Sequence, residues 1–361
     1  MPMLAREYFR HQPQTFSQRV VASTRVLEIR GCLPGALQSV RRQAQRPSSP
    51  ISKTGKTRQI LWSIFERIRA DLDQQNLITI PGIFARATQN LAGGETPYDY
   101  VVVDEAQDIG VPQLRFLAAL AGDRPDGLFF AGDLGQRIFQ TPFSWRSLGV
   151  DVRGRSQTLR INYRTSHQIR RQADLLLPPE MSDVDGNSEE RRGTVSAFNG
   201  PEPEVEVVES PEAEEAIVAE WLTARVAEGL PPDEIGVFVR SKNEAGRAIA
   251  AVRAAGLTAV ELDGDSGGAD NAVAVGTMHL AKGLEYRAVV VIACDDEVIP
   301  LQSRIENIAD EADLEDVYET ERHLLYVACT RARDHLLVTG VAPASEFLDD
   351  LQDARGRSIG G

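Results

Sequence analysis

Tyr100-Val101-Val102-Val103 runs directly into Asp104-Glu105, and Leu128-Phe129-Phe130 runs into Ala131-Gly132-Asp133. Each apolar run is too short and too rich in β-branched or aromatic residues for a helix. Each is also too evenly apolar for a half-exposed strand, so both are predicted to be strands buried on both faces, as in a parallel sheet. The intervening PQLRFLAALAG has helical character. Strand, helix, strand is one parallel unit, and it places the chain in the α/β class. Ligands of open parallel sheets sit beyond the carboxyl ends of the strands, and acids stand there: Asp104, Glu105 and Asp133. Such acids suit a Mg²⁺-nucleotide site, where one carboxylate holds the metal and its neighbour orients or deprotonates a water. Carboxylates at strand ends also cap the next helix, so the pattern alone leaves both readings open.

Ahead of this unit, Ile60, Ile64, Ile68 and Leu72 recur at helical spacing, and a second helix is expected over 82–91. The basic RRQAQRPSSP (41–50) reads as a loop. Residues 178–215 turn Pro-, Gly- and acid-rich, the character of a solvated linker or an exposed edge. Strand and helix signals then alternate again, from AEEAIVAEWLTARVAE to HLLVTG. Two α/β domains joined near residue 150 follow, which 361 residues can supply with two cores. A net charge of −14 argues against coating nucleic acid through overall basicity, so any nucleic-acid track must be local. No apolar run is long enough to span a bilayer, and the start lacks a secretory pattern, so a cytoplasmic protein is expected. Cys32, Cys294 and Cys329 lack metal-ligand spacing and read as reduced, buried thiols.

Five segments stand in order: DEAQD (104–108), AGDLGQRIF (131–139), LRINYRT (159–165), TMHLAKGLEY (277–286) and ERHLLYVACTRAR (321–333). Together they resemble motifs II to VI of superfamily 1 DNA helicases of the UvrD/Rep/PcrA type. The resemblance implies two RecA-like parallel-sheet domains. Residues 1–150 would be a partial first motor domain with a helical remnant, and 151–361 the second. It further implies ATP and Mg²⁺ as cofactors and single-stranded or partly duplex DNA as partner, with 3′ to 5′ movement and a role in DNA repair. Carried over by position, Asp104 would bind Mg²⁺ and Glu105 would be the general base. Gln107 and Gln136 would sense the γ-phosphate, and Arg164 and Arg331 would be arginine fingers. Asp133, Gly283 and Glu285 would belong to the nucleotide site, Glu285 at the ribose. Thr277 and His279 would line the DNA path, with Phe139 and Trp145 stacking bases; for Phe143 a core role stands equally beside a DNA role. Arg160 and Arg333 read as surface residues.

The family's phosphate loop, GxxxxGK[ST], is missing. Gly55-Lys56-Thr57 supplies its last three residues, but the first glycine would be residue 50, which is Pro50, and the preceding run is polar. The triplet therefore reads as a loop before the first helix. The interval from Thr165 to Thr277 is too short for the large 2B domain of many relatives. Three expectations follow. This polypeptide is a motor portion, inactive alone and completed by a chain or N-terminal segment bearing the phosphate loop; or it is a degenerate helicase half that binds DNA or a partner without hydrolysis; or it is a different P-loop nucleotide hydrolase whose nucleotide binding depends on Lys56.

Overall fold

The computed structural model describes residues 19–21, 55–91, 98–139, 142–190, 193–263, 270–306 and 311–352. RRQAQRPSSP, Pro50 and Cys32 lie outside them. The chain divides into two units: Met1–Gly132 with Phe143–Asp151, and Asp133–Pro142 with Val152–Gly361.

The first unit runs β1 (Arg19–Val21), α1 (Gly55–Gln74), β2 (Leu77–Thr79), α2 (Ile80–Leu91), β3 (Val101–Val103), α3 (Val111–Ala121) and β4 (Leu128–Phe130). β1 pairs in parallel with β2, and β3 with β4. In α2, Phe84, Ala87 and Leu91 fall on one face and are buried. Phe84 meets Phe116 of α3 edge-on at 5.5 Å, and α3 also buries Leu114, Leu117 and Leu120. Two expectations need correction. α1 begins at Gly55, so Gly55-Lys56-Thr57 is a first helical turn and not a loop before it. The lysine of a phosphate loop shares that position, so what separates this stretch from one is Pro50 and the polar run ahead of it. β3 and β4 are also not buried on both faces: Val102 is 68% and Phe129 63% exposed. α3 packs on this two-stranded sheet, and the opposite side is uncovered among the described residues.

The second unit begins with β5 (Ile161–Asn162), α4 (His167–Ala173), the antiparallel hairpin β6 (Glu180–Ser182) and β7 (Ser188–Glu190), and β8 (Val195–Ser196). It continues through β9 (Glu204–Val208), α5 (Pro211–Ala227), β10 (Ile235–Val239), α6 (Ala245–Ala254), β11 (Ala259–Glu261), β12 (Val273–Thr277) and α7 (Met278–Ala281). β13 (Tyr286–Val291), α8 (Gln302–Ile305), α9 (Glu311–Cys329), β14 (Ala332–Val341) and α10 (Glu346–Gln352) complete it. Six strands form one parallel sheet in the order β11-β12-β10-β13-β14-β9. Alternate residues of its central strands feed two cores. Val237, Val239 and Val290 pack with Val218 and Leu222 of α5 and Val252 of α6, while Phe238, Val289 and Val291 pack with Leu324 and Val327 of α9. Covering on both faces is why these strands read as unbroken apolar runs. The acid-rich stretch after residue 200 contains β9, the edge strand, of whose EVEVV only Val205 and Val208 are buried. Cys294 and Cys329 are buried thiols, and burial pushes Cys329 up to about 12. No helix among the described residues is long and apolar enough to cross a membrane.

Candidate functional site

The acidic residues leave β3 in the first unit. Asp104 and Glu105 are exposed, and the Glu105 backbone is left-handed, at φ 53° and ψ 43°. For a residue with a Cβ this conformation costs about 1–2 kcal/mol, and such strain gathers at working sites. Asp104 Oδ1 accepts from the Glu105 amide at 2.9 Å. Gln107, buried in the turn Ala106–Asp108, donates through Nε2 to Glu105 Oε2 at 2.5 Å. Gly132 lies against this turn so closely that a Cβ would stand 2.5 Å from Gln107 Oε1 and 3.2 Å from the Ala106 amide nitrogen, so a side chain there would displace the Gln107 amide. Trp145 packs edge-on against Phe130 at 4.7 Å.

The remaining predicted residues lie in the second unit. Asp133 caps the turn Leu134–Gln136, accepting from the Gly135 amide at 2.8 Å and from Gln136 Nε2 at 2.9 Å. The Gln136 Oε1 accepts in turn from Arg331 Nη2 at 3.0 Å. Arg331 follows the end of α9, is 1% exposed, and donates through Nε to Val327 O at 3.0 Å. Asn162 shapes the opposite strand end: its Oδ1 accepts from the Arg164 amide at 2.8 Å and the Thr165 amide at 3.4 Å. Arg164 reaches Glu285 through Nε. Gly283, at φ 82°, makes the left-handed turn that leads to Glu285. Asp133, Gln136, Asn162, Arg164, Thr165 and Arg331 line a cleft of about 270 Å³ together with Arg170, Tyr326 and Thr330. Three guanidiniums against one carboxylate, beside amide and hydroxyl groups, suit an anionic, oxygen-rich ligand.

A second cluster adjoins Gln136. Lys282 Nζ donates to Gln136 O at 2.6 Å and lies 5.5 Å over the Phe139 ring. Phe139, 53% exposed, has the His279 ring 6.2 Å away at a 35° tilt. Burial, aided by the charge of Arg240, lowers His279 to about 4, so the imidazole is neutral at physiological pH. Thr277 ends β12, half-buried, two residues before it.

The structure thus brings Asp133, Gln136, Arg164 and Arg331 to one cleft, with Glu285 paired to Arg164. It groups Phe139 with His279, and it holds Asp104, Glu105, Gln107 and Trp145 in the other unit. Asn162, Thr165 and Thr330 were missed. Asn162 was open to detection, since an Asn two residues before an arginine in a non-helical stretch is a usual turn former; Thr330 stands beside Arg331 inside a quoted motif, but nothing about its side chain marked it for the cleft. No group of three or more His, Cys, Asp or Glu among the described residues is placed to hold a metal. Asp104 fits Mg²⁺ in another way, since that ion is commonly held by one or two carboxylates together with ligand phosphates.

Comparison with known proteins places these residues in a family context. Residues 23–147 match the family model for the UvrD/REP helicase N-terminal domain, and residues 249–342 match that for the UvrD-like helicase C-terminal domain. A probable DNA helicase of Mycoplasma pneumoniae is 26% identical over 255 residues, 68% of this chain and 44% of that protein. ATP-dependent DNA helicase UvrD2 of Mycobacterium bovis is 28% identical over 192 residues, 50% of this chain and 27% of that protein. ATP-dependent DNA helicase PcrA of Bacillus subtilis is 34% identical over 100 residues, covering 25% of this chain and 12% of that protein. The chain therefore spans less than half the length of these relatives. A solved C-terminal domain of a possible DNA helicase from Lactobacillus plantarum is similar over 54% of this chain and 96% of its own, at 25% identity and a TM-score of 0.38.

Proposed function

We propose that this chain, which belongs to the UvrD-type helicase family, is the portion of an ATP-dependent DNA helicase that activates water and stabilises the transferring phosphoryl group. In this reading hydrolysis drives 3′ to 5′ movement on single-stranded DNA. The observation that carries it is the convergence of Asp133, Gln136, Arg164 and Arg331 on one cleft of the second unit. Residues 1–150 are then an incomplete first motor domain and 151–361 the second.

ATP with Mg²⁺, when bound, supplies the phosphoanhydride that is cleaved. Asp104 would hold the ion, and Glu105, oriented by Gln107, would take the proton of the attacking water. Gln136 fixes the Arg331 guanidinium, and the Asn162 turn fixes the Arg164 backbone. Both arginines then present preorganised positive charge to the phosphoryl oxygens. Glu285 and Gly283 serve the ribose end. Phe139 and Trp145, with Thr277 and His279, serve the DNA strand; the neutral His279 suits a base face better than a fixed charge would.

The phosphate loop is the part this sequence does not contain. The apolar but exposed Tyr100, Val102 and Phe129 support a reading in which a further segment bearing it packs on the β3–β4 sheet. Residues 1–361 alone would then bind DNA but hydrolyse little ATP.

Fluorescence anisotropy with a labelled oligo-dT tests the DNA side. Residues 1–361 should bind it at low salt, and Phe139→Ala should weaken binding at least about fivefold, the loss of one stacked base. Absence of binding, or wild-type affinity in the variant, would contradict the reading.

A further inference from the structure

Glu321 of α9 is fully buried and has two arginine partners. Arg240, the residue after β10 and only 5% exposed, grips it in a fork, Nε to Oε2 and Nη2 to Oε1, each at 2.5 Å. Arg304 of α8 donates from Nη1 to Glu321 Oε1 at 2.8 Å, with its side chain 36% exposed. Two cations share one carboxylate, and the neighbouring His279 is held neutral. The three groups Arg240, Arg304 and Glu321 together carry one net positive charge, whose more exposed end is Arg304. Arg240 is so fully engaged in its fork that it acts as a support.

Location adds to the charge. Val239 of β10 is paired with Thr277 of β12, so Arg240, Thr277 and His279 all stand at the carboxyl ends of neighbouring parallel strands, where such sheets take their ligands. In a protein of net charge −14, a half-exposed guanidinium held by a buried carboxylate is a local feature suited to a phosphodiester.

We infer that Arg304 binds a backbone phosphate of the DNA strand and that Glu321 positions it; this rests on the DNA-binding reading above. Glu321 lies within α9, whose last residue is Cys329, and Arg331 follows two residues after that end. The carboxylate that anchors Arg304 and the approach to the cleft arginine thus share α9.

The test is oligo-dT anisotropy on residues 1–361 over a range of salt, with folding of each variant checked by circular dichroism. Each phosphate contact on single-stranded DNA adds about 0.7 to the slope of log affinity against log salt. Arg304→Gln should weaken binding severalfold and cut the slope by about 0.7, while Arg304→Lys should keep the slope near wild type. Wild-type affinity and slope in Arg304→Gln would overturn the inference while leaving DNA binding standing. Equal losses in both variants would overturn it too, marking the residue as structural. A wild-type protein that binds no oligonucleotide would remove the DNA-binding reading and the inference with it.

Discussion

Glu321→Ala is expected to destabilise the second unit by about 3–5 kcal/mol, the cost of stripping the counter-ion from a buried ion pair. Glu321 is 0% exposed and accepts from both Arg240 and Arg304. Its removal leaves the Arg240 guanidinium, itself 5% exposed, without an acceptor in the interior. The cost should come from the orphaned charge more than from the pair itself. Replacing both partners with apolar residues of similar size, Arg240→Met with Glu321→Leu, should therefore recover most of the loss. Urea unfolding followed by circular dichroism reads both. A loss below about 1 kcal/mol for Glu321→Ala would mean that water reaches this cluster.

The second large effect concerns hydrolysis. Supplied with a GxxxxGK[ST] segment, fused ahead of residue 1 or added in trans, the protein is expected to turn over ATP. Arg331→Ala should then lower kcat by about a thousandfold, the lower end of the range for arginine fingers. Arg331 is buried and bonded to Val327 O and Gln136 Oε1, so its loss also removes packing and two hydrogen bonds. Arg164 is 42% exposed in its side chain and its placement rests on the Asn162 turn. Arg164→Ala should therefore lose activity on a similar scale while melting like wild type. Turnover within tenfold of wild type in both variants would remove the arginines from the chemistry.

Much of the second unit was legible because its strands are covered on both faces. IGVFV and RAVVV are unbroken apolar runs since alternate residues enter two separate cores. The same signal misled for β3 and β4: VVV and LFF carry the pattern of a doubly covered sheet, yet Val102 and Phe129 face outward among the described residues. Composition describes the covering a strand is suited to, and it is silent on whether that covering lies in the same stretch of chain. β9 was left undecided for the opposite reason, because an edge strand with a wet face reads equally as a solvated linker or an exposed edge. In the cleft, residues grouped in motifs could be named in advance. The Gln136–Arg331 bond and the Glu321 cluster could not, since both join residues remote in sequence and depend on how α9 lies on the sheet.

The central claim is that residues 1–361 contain the acids and arginines of a helicase motor without its phosphate loop. Steady-state ATP turnover by this polypeptide, with and without single-stranded DNA and beside Lys56→Ala, tests it most directly. The expected result is turnover near background in all four conditions. DNA-stimulated turnover that disappears in Lys56→Ala would show that Gly55-Lys56-Thr57 holds phosphate after all, and would contradict the account.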